Sequence, residues 1–203
     1  MAPMDQIAVI GAGGHAKVLV AAWLEAGGQV GAIYDKDPAR VGDILLGHQI
    51  LSQSEDALKD LAAILAIGDN KTRAQLAGRL KPASWQTVIH PRAWVHESAR
   101  IGAGTLICAG AVVQPDAKIG EHAIINTGAI VEHDCRIGAF THVGPSACLG
   151  GDVKVGDGVF VGLGAKVLPQ RRIGDWAVVG GGACVTKDVG EKETVVGIPA
   201  AAI

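Results

Sequence analysis

The sequence predicts a small α/β domain followed by a parallel β-solenoid. Three observations carry this. From Val88 to Val189 the chain divides into seventeen hexads with no residue left over, and the second place of each is Ile, Val or Leu. The last place is small or β-branched in all but one, where Arg171 stands. Before this stretch, in contrast, short apolar runs alternate with helical patterns. A six-residue period fits neither a helix nor a hairpin, but it fits a solenoid in which each hexad is a short strand and a corner. Three hexads make a triangular coil, so seventeen make between five and six coils, stacked at the inter-strand spacing of ~4.8 Å. An unbroken register of this length speaks against a β-sandwich.

The N-terminal elements follow in order. Gln6–Ile10 is an apolar strand running into Gly11-Ala12-Gly13-Gly14-His15 and then a helical pattern over Lys17–Ala26, which Gly27-Gly28 stops. Val30–Tyr34 is a second strand ending at Asp35, and His48–Leu51 a short third. Ser54 is placed to cap a helical turn over Glu55–Lys59. Leu61–Ile67 is a further strand ending in Gly68-Asp69-Asn70, and Lys71–Leu80 a helix. Strand alternating with helix implies a small parallel sheet. Pro82 and Trp85 mark a junction, so the expected units are an α/β domain over 1–84, a solenoid over 85–189 and a tail over 190–203 that covers the open last coil. In the solenoid, aliphatic side chains should point inward, with Gly after them supplying backbone freedom.

Composition excludes several classes. Hydrophobic content of 49% with 29 Gly and 3% aromatic suits a core of Val, Ile and Ala. A net charge of −2 gives no electrostatic case for nucleic acid or an anionic membrane. Asp5 and the absence of a basic n-region speak against a signal peptide, and the apolar run from Ile7 to Trp23 is too broken by glycines, His15 and Lys17 to span a bilayer. The four cysteines include no CxxC, and Cys148 and Cys184 fall two coils apart, too far for a bridge, while Cys135 takes a small inward place. A reducing, cytoplasmic setting is expected.

Two clusters carry chemistry. A strand, Gly11-x-Gly13-Gly14 and a helix place backbone N–H groups at a positive helix end, which suits a phosphate. Gly11-x-Gly13-x-x-Ala16 with Asp35 also matches the dinucleotide fingerprint, but so short a domain gives only a half-Rossmann-like sheet. A nucleotide phosphate without nicotinamide is the expectation, with Asp35 accepting from base or ribose, or else standing as a solvated turn residue. The second cluster is Asn126 through Cys135. His133 and His142 avoid the inward places, and imidazole is suited to take a proton near neutral pH. Asp134 could orient His133 only if the chain bends there, because neighbours in a strand point to opposite faces. His122, His133 and His142 are spaced by eleven and nine residues, where stacking on one face needs eighteen, so no metal site is expected. His90 and His96 read as solvated.

At this point the residues resemble a family. The hexads resemble the left-handed β-helix of the hexapeptide acyltransferases. VIGAGGHAKV, AIGDN-x-x-R, EHDC, HVGPSACLGG and the terminal VVGIPA together resemble the sialic acid O-acetyltransferase-like group, which includes N-acetyltransferases of nucleotide-linked 4-amino-sugars in the bacillosamine and perosamine pathways. The resemblance implies left-handed coils, acetyl-CoA as co-substrate, a nucleotide-linked amino-sugar as acceptor, UDP-linked by preference and GDP-perosamine as the alternative, and a homotrimer with sites between subunits. It implies His133 as general base with Asp134 as its partner, and His142 against the thioester. Gly11, Gly13, Gly14, His15, Asp35 and Lys36 would hold the nucleotide, with Gly68, Asn70 and Arg73 facing the same site. CoA would pass Gly144, Gly162 and Gly180, where missing side chains leave room and free amides, with Gly144 as an oxyanion donor. Arg171 breaks the repeat beside that path. O-acetylation of a sugar, or a non-catalytic nucleotide-binding trimer, are the other readings the same residues allow.

Overall fold

The computed structural model describes residues 6–54 and 56–203; Asp5 and Glu55 lie outside the described residues. The N-terminal domain is a mixed sheet of β1 (Gln6–Ile10), β2 (Gln29–Asp35), β3 (Ile44–Leu45), β4 (His48–Ser52), β5 (Ala62–Leu65) and β6 (Ser84–Trp85), in the order β3-β4-β2-β1-β5-β6. All pairs are parallel except the β3–β4 hairpin, which the sequence does not announce. Helices α1 (Gly14–Glu25) and α2 (Asn70–Arg79) complete it. Helix α1 begins three residues earlier than the apolar pattern, because Gly13 itself is the N-cap. The Ser54 cap closes only a 3₁₀ turn over Asp56–Leu58, through a 3.2 Å bond from the Ala57 N–H to Oγ. The junction at Trp85 belongs to the sheet: Ser84 and Trp85 pair with Ala62 and Ala63.

Seventeen two-residue strands follow, from β7 (Val88–Ile89) to β23 (Cys184–Val185). All but the last strands of the second and third faces pair in parallel with the strand one coil on, as in Leu106 with Ile124, Ile124 with His142 and His142 with Phe160. The prism has three faces, whose first strands are Val88–Ile89, Trp94–Val95 and Arg100–Ile101. Second- and sixth-place residues form one core, among them Ile107, Val113, Ala129, Val143 and Val161. At the open first coil Ile89 is exposed instead. In the tail, β24 (Thr194–Val196) adds in parallel to Val178–Val179 of the first face, and β25 (Ala201–Ala202) folds back on β24.

The glycines after the aliphatic places do a different job from the one expected. The left-handed φ values fall at the fifth place, in every hexad from Gly104 to Gly182, including Asp116, Asp134, Phe140 and Trp176. Third-place glycines are required by close approach: a Cβ on Gly144 would stand 2.6 Å from the Val161 carbonyl oxygen, and one on Gly162 2.6 Å from the Gly181 nitrogen.

Outward first-place residues of the first face dock the N-terminal domain. Val88 and Leu106 are buried in one cluster with Ala16, Leu19, Val20 and Trp23 of α1. Burying each such side chain contributes about 1.5–3 kcal/mol. The two domains thus share a hydrophobic seam, and the polar residues along that seam form the first half of the site.

Candidate active site

The glycine loop is braced rather than free. The Gly11 N–H donates to the Tyr34 carbonyl at 2.7 Å, and Gly11 has φ +101°. The Ala12 N–H donates to Asp35 Oδ2 at 2.7 Å, the Asp37 N–H donates to Oδ1 at 2.9 Å, and Arg40 Nη2 donates to the Ala12 carbonyl at 2.9 Å. Asp35 is therefore a strut of the loop, neither a solvated turn residue nor an uncommitted acceptor. Gly13 and Gly14 face open space, and α1 starts with no side-chain cap and no acidic residue in its first turn. That leaves a positive helix end without a side-chain cap at the mouth of the loop, with the Asp35 carboxylate bonded one residue ahead of it.

Behind the loop, His15 lies with its ring centroid 6.1 Å from that of His142, and its buried Nε2 has no partner among the described residues. His142 is buried, though by the N-terminal domain rather than by the solenoid core. Its Nδ1 sits 3.3 Å from the Gly68 carbonyl and its Nε2 2.9 Å from Asn126 Nδ2. The carbonyl can only accept and the amide NH₂ can only donate, so the ring is neutral with the proton on Nδ1. Burial first, then the nearby Arg73 charge, hold both His15 and His142 down to about 4.

Asn70 and Arg73 are buried in the seam. Arg73 is 1% exposed. Its Nε donates to the His122 carbonyl (2.8 Å), Nη1 to the Ile67 and Gly68 carbonyls (2.8 and 3.2 Å), and Nη2 to Asn70 Oδ1 and the Phe140 carbonyl (2.8 and 2.7 Å). Asn70 Nδ2 donates to the Gly158 and Val159 carbonyls. Both are interdomain struts, and Asn70 also lines, with Gly68, Asp69, Lys71 and Phe160, a cavity of about 400 Å³. Beside them His122 is buried, stacked on Phe140 at 5.3 Å and edge-on to Trp85 at 4.7 Å. His90, expected to be solvated, is also buried, and its Nδ1 accepts the Arg92 N–H.

The other half of the site lies on a different edge of the prism, between the second and third faces. Here the chain does bend: Asp134 has φ +61°, and its Oδ2 lies 2.8 Å from His133 Nδ1. This hydrogen bond, more than any other influence, raises the His133 pKa. The ring lies over Gly151 of the next coil, where a Cβ would come within 2.6 Å of Nε2. With the Nδ1 proton given to Asp134, Nε2 carries an available lone pair. A groove of about 910 Å³ runs beside it, lined also by Asp116, Lys118, Arg136, Asp152 and Gln170. In one chain, then, His133 and Asp134 are not brought together with the glycine loop, His15 and His142.

Gly144, Gly162 and Gly180 line the edge between the first and second faces, but their amides are not free. They donate to the carbonyls of Val161, Val179 and Val195 at 2.7, 2.7 and 2.8 Å. Among the described residues, the N–H groups one place later, at Leu163 and Gly181, and that of Gly151 beside His133, donate to no backbone carbonyl. Sequence reasoning missed Gly151; its signal is that the fourth place at that edge otherwise holds Glu97, Pro115, His133, Pro169 and Lys187. Among the described residues no group of three His, Cys, Asp or Glu side chains could hold a metal, and no helix is long and apolar enough to cross a membrane.

Comparison with known proteins is consistent across the chain. Residues 6–80 match the PglD N-terminal domain and residues 83–179 the GMPPB C-terminal domain. No curated protein matches. PerB from Caulobacter crescentus, solved in complex with CoA and GDP-perosamine, is 38% identical, with a TM-score of 0.89 over 98% of this chain and 97% of that one. The acetyltransferase domain of PglB from Neisseria gonorrhoeae, solved with acetyl coenzyme A, is 33% identical, with a TM-score of 0.91 over 98% and 100%. WeeI from Acinetobacter baumannii is 27% identical, with a TM-score of 0.85 over 98% and 99%. The solenoid is the left-handed parallel β-helix of these enzymes, and the chain belongs to the acetyl-CoA-dependent hexapeptide-repeat sugar N-acetyltransferases.

Proposed function

We propose that the protein acetylates the 4-amino group of a nucleotide-linked amino-deoxysugar, with His133 as general base. The observation that carries this is the His133–Asp134 pair: an exposed imidazole with Nδ1 held at 2.8 Å and Nε2 over a glycine. Its strengthened basicity suits removal of a proton from an amine.

The nucleotide diphosphate takes the uncapped start of α1 through the N–H groups of Gly13, Gly14 and His15. The sugar points toward the seam at His142. The acceptor nitrogen attacks the thioester carbonyl as its proton passes to His133 Nε2, and the tetrahedral intermediate collapses to amide and CoA thiolate. No acyl-enzyme is required, because an amine is a competent nucleophile. The oxyanion donor is the Gly151 N–H, not that of Gly144. Such a donor is worth about 3–4 kcal/mol.

The two halves meet between copies of the chain. First-place residues on the second face are Trp94, Val112, Ile130, Cys148 and Cys184, interrupted by Lys166, and all are partly or well exposed. On the third face the same column is Arg100, Lys118, Arg136, Lys154 and Arg172. The apolar column suits packing around a threefold axis. In that arrangement His133 of one protomer meets the first-face edge and seam of the next, with CoA between them along the Leu163 and Gly181 amides. The four free thiols fit a reducing cytoplasm. PerB's bound GDP-perosamine, at 38% identity, makes the GDP-linked sugar the first to try, ahead of the UDP-linked one that the sequence alone favours.

The test is thiol release from acetyl-CoA with GDP-, UDP- and dTDP-linked 4-amino-sugars and with free sialic acid. Rapid release is expected with one nucleotide amino-sugar. Release with the hydroxyl acceptor alone would mean O-acetylation instead.

A further inference from the structure

Arg73 is a buried cation that hydrogen-bonds to no carboxylate among the described residues; Asp69 acts on it only through its charge. Its donors are spent on the carbonyls of Ile67, Gly68, His122 and Phe140 and on the Asn70 side-chain oxygen. A hydrophobic residue could fill the volume at less desolvation cost, and buried charge is weak support for stability. What the cation does is fix one acceptor that matters. The Gly68 carbonyl receives both Arg73 Nη1, at 3.2 Å, and the His142 ring, at 3.3 Å. From the other side Asn126 Nδ2 meets His142 Nε2 at 2.9 Å, and Asn126 is itself fixed by accepting the Thr127 N–H at 2.7 Å.

We propose that Arg73 is a positioning residue for acetyl transfer: by pinning the Gly68 carbonyl it locks His142 in one orientation and in the tautomer with the proton on Nδ1. This rests on the reading of His142 as part of the acetyl-transfer site. The guanidinium is suited to the task because its planar fork reaches Ile67 and Gly68 in one domain and His122 and Phe140 in the other at the same time. A lysine has three donors on a point charge and cannot span both sides. The charges and titrating groups around the guanidinium are His15 on α1, His122 and His142 on the solenoid, and Asp69 at the start of α2. The positive charge disfavours imidazolium at all three histidines, in the same direction as their burial.

The first measurement needs no variant. The ring ¹⁵N shifts of His142 in uniformly labelled protein should show a protonated Nδ1 and an unprotonated Nε2 at neutral pH; the opposite tautomer overturns the proposal. In Arg73→Lys that protonation should become mixed. The kcat for acetyl transfer, measured per folded oligomer, should fall on the order of 10²-fold, the scale of a small misplacement at a reacting centre, while KM for acetyl-CoA changes far less. A purely structural Arg73 would lower the melting temperature and leave both the His142 shifts and kcat per folded oligomer unchanged, and that result also overturns it. If the labelled protein shows the expected tautomer and its loss but catalyses no acetyl transfer, Arg73's positioning role stands and the reading of the reaction fails instead.

Discussion

At the scale of single residues the proposed chemistry turns on one corner. His133 is exposed, and its basicity comes from Asp134 rather than from burial. Replacing it with alanine should lower kcat on the order of 10²–10⁴-fold, with assembly unchanged by gel filtration. Asp134→Asn tests the pair more finely. As the proposed base, His133 must be unprotonated, so kcat/KM should fall as pH drops through its pKa, which Asp134 raises above the ordinary 6.5. In Asp134→Asn that acidic limb should move to lower pH and the plateau should drop. A limb that stays in place would show that another group limits the rate. His133 is legible from sequence because it avoids the inward places and has carboxylates on both sides. The hydrogen-bond partners of His142 and Arg73 are not legible, since they lie far along the chain: Gly68 is 74 residues from His142, and Phe140 is 67 from Arg73.

At the scale of elements, periodicity reveals the solenoid and hides the reason for its glycines. Two positions inside each hexad favour Gly, for different physical causes. Gly162 is at the third place, and a Cβ there meets the Gly181 nitrogen at 2.6 Å and the Val179 carbonyl at 2.8 Å. Gly164 is at the fifth place with φ +64° and nothing within 4 Å. Gly162→Ala must push two coils apart, at a cost of about 1–3 kcal/mol or more. Gly164→Ala suffers only the left-handed backbone penalty of about 1–2 kcal/mol. Urea unfolding should rank them in that order, and the left-handed non-Gly residues Asp152 and Ser146 show that the fifth place tolerates a side chain. A sequence gives composition at each place but not which neighbouring coil a missing Cβ would strike. The β3–β4 hairpin escaped for a similar reason: two residues of antiparallel pairing leave no period to read.

At the scale of the whole molecule, the seam between the domains makes stability depend on pH in a definite direction. His15, His122 and His142 each have a pKa lowered to about 4, first by burial and then by Arg73. In the unfolded chain each returns to about 6.5. Above that value both states are neutral and the seam contributes fully. As pH falls from about 6.5 toward 4, the unfolded chain takes up protons that the native chain refuses, so stability is lost across that window. His133 acts in the opposite sense: its raised pKa adds stability at low pH that is lost as pH rises through its folded value. The seam should dominate because three histidines oppose one exposed imidazole. His122 isolates the effect, since its ring stacks on Phe140 with an interplanar angle of 4° and its buried Nδ1 has no hydrogen-bond partner among the described residues. Replacing it with phenylalanine keeps the stack, removes a titrating group and sacrifices no hydrogen bond at Nδ1. Urea unfolding free energies measured between pH 4 and pH 7 should therefore climb less steeply with pH in His122→Phe, by up to about one proton's worth of slope. A slope equal to that of the unmodified protein would mean that His122 takes up its proton in the native state as readily as in the unfolded chain, unshifted by burial or by Arg73.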